Sequence, residues 1–579
     1  MSSSPSTALP SLAASADGHH NDAASHKELS TSPKSESIDS NAQVDEYPTG
    51  LKFALILVAL TSLVFLAVSS RSPSFLGRWC LTRSSCVPQG LDQTITATVA
   101  PAVTNEFHSF STVGWIASAY LLTSTSFQPL FSRMYASFNA KWVITVAFAI
   151  FELGSLICGV ATSIEMFIVG RAIAGIGLAG GYVGALTIAA MIAPPRIRPM
   201  IMSAVGAAYG FGAILGPIIG GAFTSTTTWR WAFYINLCFM PLVFGSILLF
   251  LRVKTPVTTL TIVQRLLSVD YVGTGLLLAA VICILLVFQW GGVEYAWNSS
   301  HIIGLIIGFA LISLVFVGWM LYLGEKAIIA PRILRNRTVG FASLVNFCVA
   351  SSYFTVLYSL PLYFQAVEGS SAIRSGVETL PFIMAVIFAL IVSSSFISKS
   401  GIYIPWLVGG TALGTLGAGL LIMLKPDSSQ AFWAGIGFLA GLGPGMAWMI
   451  PFSAATAVLS SEDLALGTGA VALFQVLGGT ITVSLAQSIY VNKFQQALFS
   501  IPNVDPAAVL SQGITSFRET VSAEALPAVI DAANSAISKT FIVATVFGGL
   551  GLLAVFGMDL NARIPVAQEG TEKPIIAAA

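Results

Sequence analysis

Long apolar runs, separated by short polar stretches, fill the chain from residue 51 to residue 558. A helix needs about 20 apolar residues to cross a bilayer. Read at that length, the runs predict about fourteen spans: 51–67 resuming at 90–103, then 113–132, 142–162, 166–192, 200–223, 231–251, 272–290, 301–323, 338–364, 376–397, 403–424, 431–454, 467–490 and 540–558. Transmembrane strands do not fit, because the runs are continuously apolar and lack the period-two alternation of a barrel.

Composition agrees with a membrane chain. Of 579 residues, 55% are hydrophobic and only 9% are charged, against about 25% charged in a soluble chain. So few charges cannot cover a soluble protein of this length. That excludes an ordinary cytosolic enzyme, a disordered protein and a nucleic-acid binder. A net charge of +1 excludes steering by global charge. Residues 1–50 hold Asp17, Asp22, Glu28, Glu36, Asp39, Asp45 and Glu46 against Lys27 and Lys34, and are rich in Ser and Ala. They read as a disordered tail without the basic and apolar regions of a signal peptide, so the first apolar span targets the chain. Cys158, Cys238, Cys283 and Cys348 lie inside apolar runs, and no disulfide framework or metal-ligand spacing appears.

Lys and Arg set the orientation. With the N-terminal tail cytoplasmic, inside loops carry Arg133, Lys141, Arg198, Arg265, Arg332 and Arg337 among others, while short outside loops carry only Arg230, Arg374 and Lys425. An even span count returns the C-terminal tail to the cytoplasm. The segment 491–538 then falls outside, with apolar residues at helical spacing that lie along the surface. Asn298 begins a sequon in an outside loop and is expected to be glycosylated; Asn336 begins another that faces the cytosol and stays bare.

The first span is interrupted. After 51–67 comes VSSRSPSFLGRWCLTRSSCVPQG, with three Arg and two Pro, before the apolar pattern resumes. Arg71, Arg78 and Arg83 at bilayer depth would each cost about 2.5–3.5 kcal/mol on the insertion scale. Either the segment is a genuine extracellular or re-entrant insertion, or it is a retained intron. Val68-Ser69 can be encoded by a consensus donor site, Pro88-Gln89 can end in an acceptor, and removing Val68 to Gln89 keeps the frame.

Joined across that break, FLA/GLDQTITATVAPAV resembles the first-helix signature of drug:proton antiporters of the major facilitator superfamily. WIASAYLLTSTSFQPLFSRMYASFNAKWV (115–143), GRAIAGIGLAGG (170–181), GAILGPIIGG (212–221), WRWAFYIN (229–236), LPLYFQAVEGSSAIRSGVETLP (360–381) and GIGFLAGLGPGM (435–446) follow in order. The resemblance covers essentially all of 51–558 and is nearest to the fourteen-spanner branch, the fungal toxin and multidrug efflux pump type. It implies an all-α membrane protein with a six-helix half at 51–251, a linker with two extra helices at 252–325, and a second half at 326–558. Two halves built of inverted repeats enclose a midplane cavity.

Asp92 is an acid within the reassembled first span, and the resemblance matches it to the family's first-helix acid. It reads as a proton site or as a helix-positioning hydrogen-bond partner. Arg171 is the one base well inside a span; the family's motif assigns it to proton coupling, and a structural ion pair is the alternative. Glu152 lies in the third span as Arg171's partner, a proton site or a residue near the outer mouth. The fifth span carries Gly212, Gly216, Pro217, Gly220 and Gly221, the family's antiporter motif. A bent, closely packed helix at the interface between the halves is what rocking needs, and plain helix packing is the competing account. Tyr120, Gln365 and Gln475 are candidates for lining a substrate cavity, with Tyr209, Tyr353, Tyr358, Trp448 and Gln487 beside them. The superfamily's cytoplasmic loop motif is degenerate: Ser132 stands for glycine, Ala136 for the acid and Ala140 for one base, so its usual gating ion pair cannot form.

No catalytic, phosphate-binding or metal motif appears, so neither enzyme activity nor a cofactor or metal is expected, and pumping must draw on an ion gradient. The expected partners are a small-molecule substrate, protons and the lipid bilayer, with no nucleic acid and a monomeric carrier. The expected function is export of small hydrophobic compounds, xenobiotics or secondary metabolites, across the plasma membrane, or a vacuolar one. A same-fold importer, such as a siderophore carrier, and a non-transporting sensor are the alternatives; tails this short hold no signalling domain.

Overall fold

A computed structural model describes residues 86–107, 113–193, 197–251, 261–502, 504–506, 509, 516–519, 521–561 and 563–564. The N-terminal tail, the run 51–67 and residues 68–85 of the interruption lie outside them, as does the C-terminal tail beyond 564.

The long helices are α1 (Cys86–Glu106), α2 (Val113–Ser137), α3 (Ala140–Gly159), α4 (Ile164–Ile192), α5 (Arg198–Thr226), α6 (Trp231–Phe250), α7 (Tyr271–Trp290), α8 (Ser300–Leu323), α9 (Arg337–Tyr363), α10 (Leu380–Ser400), α11 (Ile404–Leu421), α12 (Gln430–Ala447), α13 (Leu464–Leu498) and α14 (Leu526–Val555). Among the described residues, 11 helical stretches have the length and apolarity to cross a membrane. Three more helices, α1, α2 and α6, are 21, 25 and 20 residues long. The first two are less apolar because they carry the Gln, Ser, Thr and Asp side chains that build the site below. Polar caps start several helices by satisfying free N–H groups: Asn139 before α3, Ser163 before α4, Ser299 before α8 and Asn336 before α9.

Packing divides the helices into two groups. In the first, α1 packs on α5, and α4 on α2 and α3; in the second, α13 and α14 pack on α9, and α12 on α10 and α11. The groups meet where α2 touches α13 and α5 touches α10. The extra pair α7–α8 lies outside both, and α8 buries only Ile302. Asp270 anchors the pair: its carboxylate accepts from Gly273 N at 2.7 Å, Trp319 Nε1 at 2.9 Å and Ile328 N at 3.3 Å.

The segment 491–538 differs from the sequence expectation. Helix α13 continues to Leu498 and α14 begins at Leu526, which leaves a connection at 499–525. Polar Lys493, Gln495 and Gln496 hide a buried stripe of Tyr490, Phe494 and Leu498 at four-residue spacing. Phe494 packs on Tyr490 and Phe517, with ring centroids 5.7 and 5.8 Å away. Val529, Ala533 and Ile537 extend α14 by the same spacing. The first span also differs: the described helix starts at Cys86, so Cys86–Gln89 belongs to its first turn.

Candidate functional site

Asp92 on α1 and Arg171 on α4 form a buried ion pair. Arg171 Nη1 donates to Asp92 Oδ2 at 2.8 Å, and the side chains are 1% and 0% exposed for Arg171 and Asp92 respectively. Each charge is further satisfied. Asn236 Nδ2 on α6 donates to Asp92 Oδ1 at 3.1 Å and lies 3.2 Å from Ser155 Oγ on α3. Arg171 Nε donates to the Ile116 carbonyl at 3.4 Å, and the guanidinium lies 4.0 Å from the Tyr120 ring centroid. Removing one partner of such a pair costs about 3–5 kcal/mol, because the other charge is left buried. Five helices of one half therefore converge on a single carboxylate and a single guanidinium.

Glu152 is not Arg171's partner. It is half-buried on α3, one turn before Ser155, and its Oε2 is buried without a hydrogen bond. Asn236 links Asp92 to Ser155, which lies one turn from Glu152 on α3. Sequence reading missed both, although Asn236 closes the stretch WRWAFYIN as an amide inside an apolar run.

A cavity lies between the halves. Its wall takes Gln93, Ser124, Gln128, Tyr182 and Tyr209 from the first half, and Phe354, Tyr358, Trp448, Gln475 and Thr480 from the second. Every lining residue is uncharged. Tyr182 Oη donates to Gln475 Oε1 at 2.7 Å, and Tyr209 Oη donates to Gln93 Oε1. Gln475 lines the cavity. Tyr120 does not; it lies inside the first half under Arg171. Gln365 sits in the turn Phe364–Glu368 beyond α9, where its Nε2 donates to Ser375 Oγ at 3.0 Å, outside the lining.

The glycines of α5 divide by direction. A Cβ at Gly216 or Gly220 would collide with Thr94 or Thr98 of α1, so the motif packs α5 onto the helix that carries Asp92. The contact between halves is made a turn or more earlier, where Gly206 faces Met449 and Gly210 faces Ile387. The helix lies between the halves, as the sequence reading expects, while Gly216 and Gly220 face α1. Gly212 and Gly221 are buried in the same helix, and Pro217 falls within its span.

From the cavity wall, where Thr480 lies, towards the end the Lys and Arg bias assigns to the cytoplasm, hydroxyls and carbonyls join the halves. Thr125 and Thr480 are 3.1 Å apart, and Thr187 and Thr468 2.9 Å apart; Ser132 Oγ donates to the Ala465 carbonyl at 2.7 Å and Arg198 Nη1 to the Thr456 carbonyl at 2.8 Å. Arg133 donates to the Glu325 carbonyl, while Arg332 pairs with the Glu325 carboxylate at 3.2 Å and with Asp463 at 2.8 Å. The Arg332 guanidinium holds Asp463 below the usual carboxylate range.

Residues 85–483 match the model of the Major Facilitator Superfamily. The chain belongs to that superfamily. The MFS-type transporter astH of Aspergillus oryzae is 38% identical over 533 residues, 91% of this chain and 90% of its own. The efflux pump aflT of Aspergillus parasiticus is 36% identical over 526 residues, 90% of this chain and 98% of its own. Among solved structures, the human organic anion transporter MFSD10 (TETRAN) superposes with a TM-score of 0.54 at 13% identity, over 84% of this chain and 100% of that one. At that identity the likeness is of fold: a superfamily bundle with its cavity between two halves.

Proposed function

We propose that this superfamily member is an efflux carrier that exports small hydrophobic organic molecules, xenobiotics or secondary metabolites, in exchange for protons. The observation that carries the reading is the buried Asp92–Arg171 pair beside an uncharged cavity between the halves. Relatives named as efflux pumps support the direction. In the exchange, a proton on Asp92 removes the charge that Arg171 and Asn236 hold, and α1 is released from α4 and α6. Glu152, one turn from Ser155, is the acid from which Asp92 receives that proton. We read the 11 apolar stretches together with α1, α2 and α6 as the spans, with both tails cytoplasmic and the carrier a plasma-membrane monomer that catalyses no reaction and holds no cofactor.

The test is efflux of a fluorescent hydrophobic compound from cells with and without the protein, before and after collapse of the pH gradient. Export that depends on both the protein and the gradient is expected. Uptake in place of export, or export indifferent to the gradient, overturns the reading.

We further propose that Val68–Gln89 is absent from the working protein. Gln89 is fully buried on α1, and neither of its amide atoms has a partner. Excision fuses Ala67 to Gly90 and puts a side chain with no polar atom at that position. Sequencing the transcript across these codons in cells that place the protein in the membrane decides between the forms.

A further inference from the structure

Three buried polar side chains of the cavity carry polar atoms without a hydrogen-bond partner. Ser124 and Gln128, both 0% exposed, stand one turn apart on α2; Ser124 Oγ and both amide atoms of Gln128 are without a hydrogen bond. On the opposite wall, Gln475 on α13 is 1% exposed. Its Oε1 accepts from Tyr182, which fixes the amide and leaves Nε2 unpartnered. All three line the cavity. A buried amide is costly to leave unsatisfied, so a site that holds three such groups selects what completes them.

The walls restrict the rest of the molecule. Tyr182 and Tyr209 stand 5.7 Å apart on one side, and Phe354 and Trp448 5.8 Å apart on the other. The rings of each pair are tilted to one another by 56° and 66°, so they offer both edges and faces to an aromatic body. No acid or base lines the cavity, and Asp92 and Arg171 are spent on each other. A permanent charge would enter without a counter-charge and lose its hydration.

We propose that the cavity selects uncharged aromatic molecules that present a carbonyl and a hydroxyl on one edge, and rejects organic cations and anions. The carbonyl accepts from the Gln128 and Gln475 amides, one from each half, and the hydroxyl donates to Ser124 Oγ or Gln128 Oε1. The bound molecule therefore links the halves through two buried amides of the lining whose Nε2 atoms lack partners. This rests on the reading of the cavity as the transport site.

The experiment uses the purified full-length protein in lipid nanodiscs and equilibrium dialysis at pH 6. Three probes share one skeleton: 2-hydroxyfluoren-9-one, fluorene, and a fluorenyl trimethylammonium. The hydroxyketone is expected to bind at least about tenfold tighter than either of the others, as two or more satisfied hydrogen bonds allow. Gln128→Met and Gln475→Met keep the side-chain length and remove the amide. Each is expected to lower the hydroxyketone-to-fluorene affinity ratio about three- to tenfold, and binding of fluorene itself reports that the variant is folded. Equal or tighter binding of the ammonium probe overturns the proposal. So does an unaltered hydroxyketone-to-fluorene ratio in both variants, or no binding of any probe. Gradient-driven efflux of the three probes is scored separately. Export of all three alike overturns the selectivity and leaves the export reading intact. Selective binding without export overturns the export reading alone.

Discussion

Ser132 Oγ donates to the Ala465 carbonyl at 2.7 Å and rests on Gly469, where any side chain would collide with it. The hydroxyl that breaks the superfamily's loop motif is thereby a link between the halves. Its neighbour Arg133 reaches the Glu325 carbonyl, and Arg332 carries the connection on to Asp463. Hydroxyl-to-carbonyl bonds and a relayed ion pair thus join the halves at this end.

Ser132→Ala removes one bond of this closure. A neutral hydrogen bond is worth about 0.5–1.5 kcal/mol, so the cytoplasm-open state should gain about two- to tenfold in population. The measure is labelling of a cysteine placed at Thr468 by an impermeant maleimide, in inside-out vesicles. Unchanged labelling would show that the serine is filler.

Arg171→Ala should abolish gradient-driven efflux at every external pH, because Asp92 loses the charge that answers its protonation. Substrate binding should stay within about threefold, since Arg171 does not line the cavity. Arg171→Lys keeps the charge, loses the fixed guanidinium fork and should rescue in part. Efflux and binding are measured on the same variants across pH. Normal pH-dependent export by the alanine variant would make the pair structural.

Gly216→Ala should lower thermal stability in detergent, by about 1–3 kcal/mol, as overpacking does. The new methyl would meet Thr94 and the Ile95 backbone amide of α1. Gly206→Ala meets first the Met449 Cε, at 2.7 Å, the free end of a flexible side chain. It should cost about 0.5 kcal/mol or less and alter transport rate instead, because that contact joins the halves. Equal stability losses in the two would remove the distinction.

Asp463 lies below the usual carboxylate range through its bond to Arg332. A depressed carboxylate contributes fully above its ordinary pKa and loses that contribution only as pH falls through the lowered value, below about 4. Asp463→Asn should therefore change efflux rate by one factor across pH 5–8 and leave the profile's shape unchanged. A shifted profile would bring this network into the proton chemistry.

Asn298 is exposed one residue before Ser299, the cap of α8. It should carry a glycan removed by glycosidase digestion and lost in Asn298→Gln. Asn336 should stay bare; its side chain caps α9 by accepting from Thr338 and Val339 amides. A glycan at Asn336 would reverse the orientation.

Periodicity and charge made the bundle legible, because a bilayer imposes helix length and apolarity on each span locally. Asp92 and Arg171 stood out for the same reason: a charge inside an apolar run needs an answer. Their pairing did not follow from sequence, since they are far apart along the chain and Glu152 competed for the same partner. Asn236 and Ser155 were invisible because a buried amide and a hydroxyl are ordinary in helices until a carboxylate is placed beside them. The cavity divided the candidates likewise. Gln475 and Tyr120 carry the same kind of signal, yet helix rotation turns one into the space between the halves and the other under Arg171. The sequence alone determined an all-helical membrane chain, its orientation bias and the charges that need a partner, because hydrophobic transfer acts on each segment separately. Tertiary structure decided which acid meets the arginine, which glycines face α1 or the other half, and which amides reach the cavity, because these depend on helix rotation and register that only mutual packing sets.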